Sequence, residues 1–282
     1  MTSSFQGRLG FWVGILVSFL VAALFLTPFY VAVCYAFKSR LQVAATGLQI
    51  PTSLQLSNFV DAIQNTNESG MPFFRVMGNT LYSTVIGTVL LTFFSSMCAY
   101  AIARRTSRLY TVMYSIMVFT LLIPIQAYMF PLYEMLRAFK LLDTQNGFVL
   151  AKVGAQLGFS VIIMTGFVRT VPREIEEAAF EDGAGLLTVF VRIVVPLMKP
   201  IVLTCIVINS LNLWNDFSTA FIVLNTPVKY IVTLLQFVFM GTNSIKINLA
   251  FALFGMTMVP ILVLYFALQR YIVSGIVMGS IK

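Results

Sequence analysis

A chain of 282 residues that is 59% apolar and only 10% charged has too little polar surface to cover itself in water. Its mean hydropathy of +0.91 calls for a bilayer as solvent. The formal charge of +8 is scattered along the chain instead of gathered in a stripe, which argues against nucleic acid and reads as loop charge that orients membrane helices.

Histidine is absent, which removes the commonest metal ligand and the usual general base. Cys34, Cys98 and Cys205 lie far apart inside apolar segments without ligand spacing, and read as small packing residues. Neither an enzyme nor a metal site is expected, and no phosphate-cradling Gly-x4-Gly-Lys-Ser/Thr loop occurs.

In chain order the apolar runs predict six spans: 11–37, 79–103, 110–136, 147–167, 201–224 and 249–272. The first is too long for the apolar part of a cleaved signal and flows into Lys38 and Arg40, so it reads as a retained span. Backbone groups in lipid must be satisfied internally, and long continuous runs exclude the alternating strands of a barrel. The fold class is therefore all-α, a polytopic membrane protein of one domain over residues 1–282. Pro28, Pro124, Pro131 and Pro260 fall within spans and are expected to kink them. Residues 39–78 form a long polar loop and 225–248 a mixed one. Six spans place both termini on one side, and the cluster Arg104, Arg105 and Arg108 favours the cytoplasm for that side.

The segment 171–200 is charged and helical in character. Pro172 suits a helix start, and Glu174, Glu176 and Glu177 load the first turn with charge that complements the helix dipole. Ala178 and Ala179 extend the helix, and Asp182-Gly183-Ala184-Gly185 breaks it. Apolar Leu186, Leu187, Val189 and Phe190 follow before Pro196 leads to the next span. Such an element reads either as a solvated connector or as a helix that docks in a partner's groove.

The run Glu177-Ala178-Ala179, Asp182-Gly183-Ala184, Ile193 and Pro196-Leu197 resembles the EAA signature of ABC importer permeases. Further likeness to the carbohydrate-uptake branch, the maltose-type second permease in particular, lies in Asn58-Phe59, Asn79-Thr80, Ile123-Pro124-Ile125-Gln126 and Leu141-Leu142-Asp143-Thr144. It continues in Trp214-Asn215-Asp216-Phe217 and the closing 268–276 segment. The tail Met278-Gly279-Ser280-Ile281-Lys282 departs from that branch, as does an aspartate where glutamate is usual.

The resemblance implies a type I ABC importer permease fold and a multi-pass place in the cytoplasmic membrane of a prokaryote. It implies transport of a sugar or oligosaccharide by alternating access, with no cofactor bound here and with ATP and Mg on the ATPase. The implied partners are a second permease forming a heterodimer, two ABC ATPase subunits, an extracytoplasmic solute-binding protein, the sugar and membrane lipid, with no nucleic acid. It also implies that Glu176, Glu177, Ala178, Ala179, Asp182, Gly183, Ala184 and Pro196 couple the chain to the ATPase. A permease for a non-sugar solute such as glycerol phosphate, and a non-transporting membrane scaffold, stand as alternatives.

In span five, Asn209, Asn212 and Asp216 share one helical face, with Trp214 and Asn215 beside them. They line a substrate pathway or serve as interhelical hydrogen bonds; a carboxylate there costs about 3 kcal/mol on insertion scales unless paired or wet. Gly154 and Gly158 form a GxxxG pattern that predicts close helix packing.

Overall fold

The structure, a computed structural model, describes residues 2–242 and 246–280, and the side chains of 11–241 and 246–269. The side chains of the closing segment from Arg270 onward, and Ile281 and Lys282 altogether, lie outside the described residues. Every regular element among the described residues is helical. The chain divides into two compact units, 1–66 with 238–257 and 67–237 with 258–282.

The first unit contains α1 (Thr2–Phe37), α2 (Arg40–Thr46), α3 (Ser57–Glu68) and the start of a long helix taken up below. The most apolar 18-residue stretch of α1 has no buried residue, so its surface is left for lipid or another protein. The end of α1 is held by Asn58, whose Nδ2 donates to the carbonyls of Ala36 and Lys38 at 2.8 and 2.9 Å. Its Oδ1 accepts from Asn248 at 2.8 Å. Lys38 is fully buried and donates to the carbonyl of Gly47, just past the last turn of α2, where a cation complements the helix dipole.

The second unit is built on α4 (Phe73–Arg104) and α7 (Gln145–Val168). Lipid supplies no hydrophobic drive between helices, so close packing depends on small side chains. The buried face of α4 is largely such a seam, with Ser83, Gly87, Ser95 and Ala99 at four-residue spacing about the single large Leu91. Gly158 of α7 lies hard against Met117 and Thr120 of α5 (Arg108–Thr120), where a Cβ would strike their oxygens. Half of the GxxxG pattern is therefore a helix contact, while a Cβ on Gly154 would meet nothing within 4 Å.

Two predicted spans are broken. Residues 110–136 divide into α5 and α6 (Ile125–Ala138), which meet at 107°. Pro124 caps α6 without a donor to offer α5, and the residue before a proline is pushed out of helical geometry. Residues 171–200 hold α8 (Glu174–Glu181), α9 (Leu186–Val189), a π-turn at Phe190–Val194 and α10 (Val195–Leu197). Then α11 (Lys199–Trp214) turns away from the 186–197 axis by 75°. The expected span 201–224 stops at Trp214; after Asn215-Asp216-Phe217 comes the separate α12 (Ser218–Val223). Asp216 accepts the N–H groups of Thr219 and Ala220, both at 3.0 Å, and so starts a new helix in place of continuing the old one.

Beyond it, a 3-10 turn at Pro227–Lys229 leads to the apolar helix α13 (Val232–Thr242), in what the sequence suggests is plain loop, and α14 (Ile247–Ser280) completes the chain. Among the described residues four helices are long and apolar enough to cross a membrane; two bent pairs, 108–138 and 186–214, reach that length and composition only when their halves are joined.

The 225–232 segment is fixed to the helix ends by side chains. Asn79 donates to the carbonyls of Val228 and Tyr230 at 3.0 Å each, and Gln145 donates to that of Lys229 at 2.6 Å. Asp143, in the left-handed region at φ 56°, accepts from Asn225 N, Thr226 N, Thr226 Oγ1 and Lys229 Nζ at 2.6–3.0 Å. Burial alone would raise its carboxyl, but the hydrogen bonds from Lys229, Thr226 and Asn225 outweigh that and hold it well below the usual carboxylate range.

Asp143→Asn keeps a residue that tolerates positive φ while removing the charge, and should destabilise the protein by about 1–2 kcal/mol at neutral pH. A carboxyl lowered on folding contributes stability above its unfolded value, near 4, and loses it as pH falls toward its folded value. Thermal unfolding of both forms against pH should therefore give a gap that is full above about pH 5 and narrows below about 4.

Candidate functional site

Segment 171–200 lies beside the C-terminal turn of α4. Arg104 Nη2 takes the carbonyl of Val171 at 3.0 Å as the chain leaves α7. It also lies 2.6 Å from Glu176 Oε1, and Arg104 Nε donates to the same oxygen at 2.8 Å. The hydroxyl of Tyr100, one turn earlier on α4, donates to Glu176 Oε2 at 2.9 Å. Glu176 is 4% exposed, so α8 enters the protein through one of its three N-terminal carboxylates.

The other coupling candidates divide by face. Glu177, Ala178, Asp182, Gly183 and Pro196 are exposed, whereas Ala179 and Ala184 are half-buried. The latter two pack on an apolar cluster that includes Ala99, Tyr100, Met164, Val189 and Met198. Helix α8 ends in a paired hydrogen-bond motif: Ala184 N donates to Ala179 O at 2.9 Å and Gly183 N to Phe180 O at 3.0 Å. The motif needs a left-handed residue, and Gly183 supplies it at φ 85°. The residue matters for its backbone, since a Cβ there would meet nothing within 4 Å. Outward stand Ile175, Phe180, Leu186 and Leu187, the last 71% exposed, mixed with Glu177, Glu181 and Asp182. A cleft of about 340 Å³ beside them is lined by Arg105, Tyr110, Arg173, Glu177, Phe180 and Leu186. This is an exposed amphipathic face on a clamped base.

The polar residues of span five are brought together differently. Asn209 is fully buried and pairs with Ser160 of α7 across 3.0–3.1 Å. Asp216 Oδ2 forms an ion pair with Lys152 of α7 at 2.7 Å, and Lys152 also donates to Asn212 Oδ1 at 2.7 Å. Trp214 is 3% exposed, so no sugar ring can stack on it in this arrangement. Asn215 is exposed but spends its Nδ2 on the carbonyl of Leu211 at 2.9 Å. Of the proposed pathway residues, Asn209, Asn212 and Asp216 are thus interhelical partners here, with Asn212 and Asn215 also at the surface. The helix break separates Asp216 from the continuous face that the sequence spacing suggests.

Sequence reading passed over Lys152 and Tyr100 and took Arg104 only as an orienting loop charge. A lone lysine inside a 24-residue apolar helix was the available signal, because such a charge requires a partner. Among the described residues no group of three His, Cys, Asp or Glu side chains is placed to hold a metal.

Residues 91–277 match the family described as binding-protein-dependent transport system inner membrane component. The chain is 30% identical over 262 residues to the probable starch degradation products transport system permease protein AmyC of Thermoanaerobacterium thermosulfurigenes, covering 93% of each. It is 31% identical over 272 residues to the melibiose/raffinose/stachyose import permease protein MelC of Bacillus subtilis (strain 168), covering 95% of each. Its fold matches a chain of a bacterial ABC transporter involved in import of the acidic polysaccharide alginate, with a TM-score of 0.80 at 23% identity over 94% of this chain and 97% of that one.

Removing one member of the Lys152–Asp216 pair strands the other's charge, a loss of about 3–5 kcal/mol. Lys152→Met and Asp216→Asn should each lower the thermal unfolding temperature in detergent, and the double variant should recover most of it. A double variant no more stable than either single one would show that the two groups act separately.

Proposed function

From the premise that the chain belongs to the family of binding-protein-dependent transport system inner membrane components, we propose that it is the permease subunit of an ATP-binding-cassette importer for a sugar or oligosaccharide. The observation that carries the coupling part of this reading is the exposed α8–α9 face. Acidic and apolar side chains stand outward on a helix whose base is fixed by Arg104. An isolated membrane protein gains nothing from exposing Leu186 and Leu187 beside Glu177 outside its spans; a partner groove gives them a place. The partner is an ATPase on the cytoplasmic side, to which Glu177, Ala178, Asp182 and the turn at Gly183 present themselves. ATP and Mg belong to that subunit.

The solute class rests on the named relatives, one for starch degradation products and one for melibiose, raffinose and stachyose. A second permease completes the translocation path as a heterodimer, and an extracytoplasmic binding protein delivers the solute. The apolar, unburied surface of α1 supports such a neighbour alongside lipid. Both termini face the cytoplasm, which puts segment 171–200 and the Arg104, Arg105 and Arg108 cluster on that same side. The host membrane is the cytoplasmic membrane of a prokaryote.

Gentle affinity purification of the tagged chain from its native membrane should recover an ABC ATPase and a second permease. Glu177→Arg reverses an exposed charge at the docking face and should cut ATPase recovery about tenfold or more, with the second permease retained. A chain that elutes alone under conditions that preserve other complexes would sink the importer assignment.

A further inference from the structure

We infer that Glu176 is a positioning residue that fastens the coupling loop to α4, so that α8 and the inner end of α4 move as one body. The inference rests on the importer reading and adds a division of labour to it: Glu177 meets the partner, and its neighbour Glu176 passes the displacement inward.

Adjacent residues on a helix point about 100° apart, so one of the two carboxylates can face out while the other faces in. Glu176 has both oxygens engaged, Oε1 by Arg104 Nε and Nη2 at 2.8 and 2.6 Å and Oε2 by Tyr100 at 2.9 Å. Tyr100 and Arg104 stand four residues apart on α4, on one face of its last turn. Arg104 also reaches Val171, so a single guanidinium holds both the exit from α7 and the first turn of α8. The Arg104 and Glu176 side chains are only 12% and 5% exposed, where a charged pair is hard to pull apart because each group would be left without water. The ring of Tyr100 also lies 5.3 Å from that of Phe190, which ties the second half of the loop to the same turn.

The far end of the loop is built in the opposite way. Residues 190–194 form a π-turn in which Val195 N reaches back to Phe190 O, and Pro196 follows without a donor. The axis then bends by 75° between 186–197 and 199–214. The loop is thus clamped by charge at α8 and bent before α11. A push on α8 is delivered to α4, which packs along α7 and α11.

The test uses the whole complex, this chain with its ATPase, partner permease and binding protein, reconstituted in liposomes. The readout is solute taken up per ATP hydrolysed. Glu176→Gln should still recruit the ATPase and allow hydrolysis, while uptake per ATP falls about tenfold. Tyr100→Phe, which deletes one hydroxyl, should lower the ratio about two- to threefold, and Arg104→Lys should fall between the two. An unchanged ratio in Glu176→Gln overturns the inference, including the case in which uptake and hydrolysis fall together as a merely structural contact would make them. If that variant does not assemble, an unchanged ratio in both Tyr100→Phe and Arg104→Lys overturns it equally. A wild-type complex that takes up no solute would strike the importer reading itself, whereas the Glu176 series with a working wild type strikes only this inference.

Discussion

No water reaches the hydrocarbon core of a bilayer, so every polar group the chain carries there must be answered by another group nearby. Lys152 on α7 shows how far that requirement shapes the rest. Its ammonium needs an anion at the depth where α11 ends, and Asp216 comes into reach because the fifth span breaks at Trp214. The same carboxylate accepts the first N–H groups of α12, so one side chain answers a buried cation and starts a helix. Asn209 and Ser160 meet the same requirement as a neutral pair farther along α7 and α11.

Among the described residues of the second unit, ion pairs join separate elements at three levels. Asp143 and Lys229 fasten the turn before α7 to the segment after α12, Lys152 and Asp216 join α7 to the helix break, and Arg104 and Glu176 hold the 171–200 segment to α4. Between these levels α4 packs closely on its neighbours, with Gly87 of α4 lying against Leu213 of α11. Charges fix the ends and small side chains set the spacing. The sharp changes of direction fall at the Pro124 corner and after the π-turn before α11.

Much of this was legible in the sequence, for definite reasons. Long apolar runs located the candidate spans, since composition alone decides what lipid accepts, and the run 11–37 ends at Phe37 where α1 ends. The acidic first turn and the Asp182-Gly183 stop were legible because dipole and left-handed geometry act locally. Pro124 announced a kink at 121–124 but not its 107°, and the break at 215–217 was not legible, because its cause is the capping of a new helix by Asp216. The partner of Glu176 was invisible for another reason. Arg104 is 72 residues away, and no local pattern says which of three neighbouring arginines turns inward. Spacing placed Asp216 on a polar stripe of span five, but spacing presumes an unbroken helix, and the aspartate itself helps to break it.

The buried pair between α7 and the α11–α12 break also constrains how this chain can change over generations. With Lys152 and Asp216 each about nine-tenths buried, a single codon change at either position passes through a state with a stranded charge. The route to a neutral pair, or to one of reversed sign, therefore crosses a valley that one substitution cannot skirt. Positions 152 and 216 are bound to drift together among descendants of this sequence, as a linked character and not as two independent ones.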